Sequence, residues 1–174
     1  MILIKDTAIF LRKLKYSDTN GEWPTWLNDK STVKYTNKRN IKNSTETVIK
    51  YFKKKKNSKN DILFAICKKN NEHIGNIGLH KIKNQSAQYG ILLGKKYQSK
   101  GYGTRALKLL IKYAFTKLFF KKIYTYIDNR NFKSIKITKK NYFKKTSNYK
   151  FKSLKNGTRI KYDKYLILNK YEKN

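Results

Sequence analysis

Apolar residues follow one pattern up to about residue 94 and another from Gly103 onward, and the two predict different elements. In the first part they alternate or run in short blocks. "TAIFLRKLKYSD" alternates well enough for a first strand, with Asp18 closing it near a turn or helix cap. "EWPTWLNDKSTVKYTN" and "NSTETVIKYFKKKKN" read as two short helices. Asn43 and Ser44 are good caps for the second, although Ser44 followed by Thr47 is not the usual capping-box pair. The run Lys53 to Lys56 reads as its solvated end. Three strands follow, "DILFAICKK", "HIGNIGLHKI" and "AQYGILLG", separated by the polar turns "NNE" and "KNQS". Together they predict an antiparallel meander.

From Gly103 the apolar positions recur at helical spacing, placing Ala106, Leu107, Leu110, Ala114 and Phe115 on one face of "GTRALKLLIKYAFTKLF". A strand, "KKIYTYID", comes next, then a helix, "NFKSIKITKK", begun by Asn131 as its cap. The end, "YKFKSLKNGTRIKYDKYLIL", reads as a hairpin turning at Asn156-Gly157, a pair suited to a type I′ turn. No repeat, low-complexity linker or Pro/Gly boundary divides the chain. The expectation is one α+β domain over residues 1–174, which is long enough to bury a real core.

Composition narrows the classes further. The single cysteine, Cys67, excludes a disulfide framework, and no ligand spacing suggests a metal. Charges interrupt the N-terminus every few residues and no apolar run reaches the length of a membrane span, so a soluble, cytoplasmic protein is expected. The formal charge of +33 invites a nucleic-acid reading. Against it, only 5 of the 43 basic residues are arginine (Arg12, Arg39, Arg105, Arg130, Arg159), the residue best suited to bidentate recognition of guanine and phosphate. The lysines are spread along the chain, and Lys, Asn, Ile and Tyr share AT-rich codons, which points to compositional bias. A positive field still favours anionic small ligands.

Candidate chemistry concentrates in "YQSKGYGTRAL", Tyr97 to Leu107. A Walker A loop fails, because counting from Gly94 its second glycine would fall at Ser99. Gly101 to Ala106 does match the dinucleotide fingerprint G-x-G-x-x-A, with Asp128 closing the next strand. Yet seven residues separate Leu93 from Gly101, and the upstream half is a meander rather than repeated βαβ units. A strand end followed by a glycine loop that opens a helix aims backbone amides and the positive helix end at one spot, as a diphosphate site requires.

Gln98-Ser99-Lys100-Gly101-Tyr102-Gly103 also matches R/Q-x-x-G-x-G/A, the pyrophosphate loop of the GNAT superfamily of N-acetyltransferases. The stretch from "HIGNIGLHKI" through "IDNRNFKSIKITKKNYF" resembles that superfamily's core. "WLND…VKY" and the final "NG…YDKYLIL" resemble the branch containing ribosomal-protein alanine acetyltransferases and acetyltransferases of bacterial polysaccharide loci. The resemblance covers nearly the whole chain. It implies a mixed, mostly antiparallel sheet, flanked by helices and splayed between its fourth and fifth strands, and acetyl-CoA as acyl donor with no metal. By the same resemblance, Gln98, Ser99, Lys100, Gly101, Tyr102, Gly103 and Thr104 hold the pyrophosphate, and Ile91, Leu92 and Leu93 lie closest to the thioester. Asn131 matches the asparagine that steadies the pantetheine and Ser134 the small residue beside it; a helix N-cap is an equally good role for Asn131.

The match weakens at the chemistry. Acetyl transfer needs a neutral amine, a polarised carbonyl and a proton for the leaving thiolate. Members often supply that proton from a tyrosine seven residues after the asparagine, where this chain has Thr138. The family's "GF" is Tyr142-Phe143 here, and the acidic residue of "AE-G-I" is Gln88. Tyr142 or a nearby tyrosine is a candidate substitute. His80, sharing a strand face with Asn76 and Gly78 next to the cofactor strand, is the candidate base, although a surface or core histidine remains open. His73 begins its strand and is expected to be exposed.

For the acceptor, polycations need carboxylates, and there are 10 acidic residues against 43 basic ones. A nucleotide-linked amino sugar of a surface polysaccharide pathway suits the charge better. Trp23, Trp26, Tyr35 and His80 are candidates for the acceptor mouth, with core packing for Trp26 and a surface position for Trp23 as the alternative. Acetylation of a protein N-terminus is the second possibility, and a non-catalytic acyl-CoA or nucleic-acid binding module the third. Exposed strand edges make a homodimer plausible.

Overall fold

The computed structural model describes residues 2–36, 41–153 and 157–170. The chain begins with β1 (Ile2–Lys5) and β2 (Ile9–Lys13), followed by a 3-10 turn at Tyr16–Asn20. Three helices, α1 (Trp23–Asn28), α2 (Lys30–Val33) and α3 (Thr45–Lys56), lead into β3 (Asp61–Lys68), β4 (His73–Lys83) and β5 (Ser86–Leu93). Then come α4 (Tyr102–Thr116), β6 (Lys122–Asp128), α5 (Phe132–Lys140), β7 (Lys144–Ser153) and β8 (Arg159–Leu168). The strands form one sheet in the order β1-β2-β3-β4-β5-β6-β8-β7. Neighbours are antiparallel except β5 and β6, which run parallel because α4 carries the chain back across the sheet.

Three local expectations change. The chain contains β1, which four residues without a clear alternation did not announce, so the parallel pair is the fifth and sixth strands rather than the fourth and fifth. The predicted first helix is two, broken where Asp29 turns extended and its carboxylate accepts the Thr32 N–H (2.7 Å). At the start of α3 a reciprocal capping pair does form: Ser44 N–H donates to the Thr47 hydroxyl (3.0 Å) and Thr47 N–H to the Ser44 hydroxyl (3.4 Å). A threonine hydroxyl reaches back as a glutamate would. Of the predicted final turn, Asn156 lies outside the described residues, as does Asn37 at the end of the first predicted helix, while Gly157 has φ +79°.

Helix α4 covers one face of the sheet. Its periodic residues Ala106, Leu107, Leu110, Ala114 and Phe115 are all buried, and Tyr113 meets Phe64 of β3 edge-on at 5.5 Å. The alternate residues of β4, Asn76, Gly78 and His80, face the other side, under α1 and α3. No helix among the described residues is long and apolar enough to cross a membrane, and no group of three or more His, Cys, Asp or Glu among them could hold a metal ion.

Asp18 does more than end a strand. Buried in the 3-10 turn, it accepts both guanidinium nitrogens of Arg12 (2.6 and 2.7 Å) and the Lys15 N–H (2.7 Å). Burial opposes its ionisation, but Arg12 and the Lys15 amide outweigh burial and hold the carboxyl below its ordinary pKa. A depressed carboxylate stabilises the fold above its unfolded pKa, and that stability is lost as pH falls through the folded value. Replacing Asp18 with Asn should therefore cost about 1–3 kcal/mol at neutral pH, by taking the ionised partner from the half-buried Arg12. In urea melts the gap to the unsubstituted protein should shrink as the medium is acidified below the carboxylate range.

Candidate active site

The site begins where two parallel strands part. β5 and β6 pair only at Ser86–Lys122, Ala87–Ile123 and Gln88–Tyr124. Beyond that point β5 stays paired with β4 through Leu93, and β6 with β8 through Asp128. Each strand thus turns one edge into the gap from Tyr89 and Thr125 onward. At the apex the Thr125 hydroxyl donates to the Tyr89 carbonyl (3.2 Å). The remaining amides and carbonyls facing the gap are obligatory hydrogen-bonding groups, so an extended arm bearing amides can add to β5 as a further strand. Ile91 and Leu92 are half-buried along this edge, and Leu93 closes it.

The glycine loop lies just past that edge. Gly101 caps α4 in a left-handed conformation (φ +83°), and a Cβ there would meet nothing within 4 Å. The first helical bond of α4 runs from Arg105 N–H to the Gly101 carbonyl (3.2 Å), so the amides of Tyr102, Gly103 and Thr104 project from the helix end. Ser99 also has positive φ, and it and Lys100 are exposed beside these amides. Gln98 behaves differently from the other loop residues. Its amide nitrogen donates to the Leu93 carbonyl (3.0 Å) and the Thr32 hydroxyl (3.1 Å), tying the loop to the end of β5 and to α2. An amide-bearing arm on β5 and a diphosphate at the α4 amides are what acetyl-CoA presents, and this backbone fits it.

Across the gap, the Asn131 side-chain oxygen Oδ1 accepts the Ser134 N–H (3.1 Å) and caps α5. Thr138, at the position where the family often has tyrosine, is fully buried: its hydroxyl donates to the Ser134 carbonyl (2.7 Å) and accepts from the Tyr89 hydroxyl (2.5 Å). Burial drives the Tyr89 phenol's pKa far up, so this pair acts as a brace between β5 and α5. Tyr142 is 82% exposed at the far end of α5 and does not line the cleft.

On the α1–α3 face, beside the same stretch of β5, lies a cleft of about 210 Å³. His80 enters it from β4. Asp61, opposite His80 in the β3–β4 register, accepts from His80 Nδ1 (2.7 Å), Lys55 Nζ (2.6 Å) and the Ser58 hydroxyl (2.7 Å). Burial works against that carboxylate, but these donors hold its pKa at about 2. An ionised carboxylate only accepts, so Nδ1 carries the proton and Nε2 keeps its lone pair. Burial also pushes the imidazole below its ordinary pKa, with Asp61 opposing, which leaves it neutral at neutral pH. Nε2 stands 3.1 Å from where a Cβ on Gly78 would be and 3.5 Å from one on Gly90, so two glycines make room for the ring against β5.

The aromatic candidates sort differently from expectation. Trp23 is buried and lines the cleft; its indole N–H donates to the Asn76 side-chain oxygen (3.3 Å) when that amide is oriented to satisfy both of its ends. Trp26 packs behind the loop, against Gly94 and edge-on to His73 (5.0 Å), outside the cleft wall. Tyr35, half-buried, lies outside that wall too. His73 is not exposed: it is half-buried between Trp26, Asn76 and Asp18, and burial lowers its pKa. Asp61, 19 residues from His80, and the cleft residue Tyr51 on α3 had no signal in the sequence, because only strand register and helix packing bring them together.

Comparison with known proteins agrees with this geometry. Residues 8–144 match the family model of the acetyltransferase (GNAT) domain. Over 57 residues, 33% of this chain, the sequence is 40% identical to spermidine N(1)-acetyltransferase of Escherichia coli (strain K12), and the matched stretch spans 31% of that protein. Spermidine N-acetyltransferase from Vibrio cholerae, solved in complex with CoA and spermine, superposes with a TM-score of 0.84 at 20% identity, covering 94% of this chain and 97% of that one. RimL, a ribosomal L7/L12 alpha-N-protein acetyltransferase in complex with coenzyme A, gives 0.86 at 17% identity over 97% and 98%. At such identities the superpositions speak for the fold alone. With the family model spanning most of its length, and the parted strands and glycine loop in place, this chain belongs to the GNAT acetyltransferase family.

Proposed function

We propose that this chain is an acetyl-CoA-dependent N-acetyltransferase in which His80 is the base, and that its acceptor is the primary amine of a nucleotide-linked amino sugar of a surface polysaccharide pathway. The observation that carries the reading is the Asp61–His80 pair set beside the unpaired edge of β5. Acetyl-CoA, when bound, supplies the acetyl group as a thioester. The chain's part is to position and to move protons. Leu93, the loop amides and Asn131 hold the donor at the gap, and the cleft between Trp23, Tyr51 and β5 admits the amine. His80 Nε2 takes the proton that the ammonium must lose before it can attack, and Asp61 keeps the imidazole in the tautomer that accepts it. Thr138 has no proton to offer the departing sulfur, since its hydroxyl is committed to Ser134.

Electrostatics supports an acceptor that is not a polycation. Of the 10 acidic residues, Glu172 lies outside the described part, and every other carboxylate already has a partner. None lines the cleft wall. A polyamine would find no unmatched negative charge there. A second reading, a polyamine acceptor, is favoured by the 57-residue likeness to spermidine acetyltransferase.

Thiol release from acetyl-CoA should be seen with a UDP-linked amino sugar and be absent with spermidine and with an N-terminal ribosomal peptide. Release with spermidine alone would overturn the acceptor. His80→Ala should lower kcat about 10²–10⁴-fold with coenzyme A affinity unchanged; unchanged turnover would remove the base. In Asp61→Asn the acid limb of the kcat/KM profile should move to lower pH, because the carboxylate that favours the imidazolium is gone.

A further inference from the structure

A second depression, about 500 Å³ in volume, lies on the same sheet face as the cleft, and the acetyl-transfer chemistry does not use it. Four lysines from four different strands or strand ends converge on it: Lys81, Lys122, Lys150 and Lys164. Strand register explains the convergence. His80, Gln88, Tyr124 and Leu166 form one row across β4, β5, β6 and β8, and residues paired directly across a sheet share a face. Tyr126 and Lys164 form the next row, and Tyr162 and Lys150 the one after. Lys81 joins them because a bulge between His80 and Lys83, with Lys81 at φ +53°, departs from the regular alternation.

Within this basin the positive charge is unbalanced. None of the four lysines has a carboxylate partner among the described residues, whereas lysines elsewhere, such as Lys55, Lys96 and Lys145, do. Two of the ammonium groups rest on aromatic faces instead: Lys150 lies 4.2 Å above the Tyr126 ring and Lys164 5.3 Å above Tyr124. Burial and then the neighbouring Lys81 and Lys152 push the Lys150 pKa down, the sign of a cation short of counter-charge. Gln88 forms the wall between His80 and the lysines, and its buried side-chain oxygen has no hydrogen-bond partner. A hydrogen-bond donor on a ligand would satisfy it.

We propose that this basin is an anion subsite that holds the diphosphate of the acceptor, with Gln88 accepting a hydrogen bond from a sugar hydroxyl between that diphosphate and the amine at His80. Two strand spacings separate the His80 row position from Tyr124, about 10 Å, a span that one sugar ring bridges. Lysines suit the task as point charges for phosphate oxygens, and Tyr124 and Tyr126, edge-on to each other at 6.1 Å, line the basin with aromatic surface that a nucleoside can pack against. The proposal rests on the nucleotide-sugar reading and adds to it the place where the nucleotide end binds.

The test uses the full chain saturated with coenzyme A, so that its own phosphate loop is filled. UDP and inorganic pyrophosphate are titrated calorimetrically into the unsubstituted protein and into the double variant Lys150→Gln/Lys164→Gln. Both probes should bind the unsubstituted protein, UDP more tightly, and more weakly as salt is added. The double variant should raise both dissociation constants at least tenfold while keeping its affinity for coenzyme A and its melting temperature. Absence of UDP and pyrophosphate binding, or equal binding to both proteins, overturns the subsite. If UDP binds in the lysine-dependent way but no UDP-amino sugar is acetylated, the subsite stands and the acceptor reading falls. If a UDP-amino sugar is acetylated with a KM that the double variant leaves unchanged, the acceptor reading stands and the subsite falls.

Discussion

Peptide groups buried in a sheet must find partners, and β5 leaves one of its two edges without a neighbouring strand from Tyr89 onward. The rest of the molecule holds that edge open. β4 and β8 keep the outer edges of the two strands paired, so the gap is a fixed cleft between rigid walls. Tyr89, almost wholly buried, props α5 beneath β5 through Thr138 and packs edge-on against Phe143 at 5.3 Å. The Thr138 hydroxyl, held between Tyr89 and Ser134, serves the framework. The Gln98 amide, bonded to the Leu93 carbonyl and Thr32, sets where the edge ends and the glycine loop begins.

Charge is distributed with a similar logic. With ten acidic residues against forty-three basic ones, a carboxylate is scarce, and the described ones are used as caps or as partners to cations. Asp61 alone is spent on the candidate chemistry, and it needs Lys55 and Ser58 to stay ionised beside a half-buried histidine. The lysines without carboxylates then face outward or gather over tyrosines, as they do around Tyr124 and Tyr126. A composition that looked like general bias along the chain becomes local once strands from distant segments share a face.

Much of the fold was legible, for identifiable reasons. The buried face of α4 follows from a strict helical period, and the β3–β5 meander from short apolar blocks between polar turns. The glycine loop that opens α4 was legible because glycine and helix end leave a contiguous trace, and the structure places Gly101 at that cap with φ +83°. Two of the misses came from non-local packing. His73 was placed on the surface by its local setting, and a surface position was the alternative for Trp23, yet each is covered by residues far away in sequence. The Ser44–Thr47 capping pair was missed because a hydroxyl stood in for the expected carboxylate.

By itself, then, the sequence determined most of the elements, the buried face of α4 and the loop that reads as a donor site, since each depends on neighbours within a few residues. Only the tertiary structure decided which side chains meet. The Asp61–His80 pair exists through antiparallel register, in which a one-residue slip would turn His80 to the opposite face. The lysine basin likewise exists because β8 returns to lie between β6 and β7, and no local pattern specifies that placement.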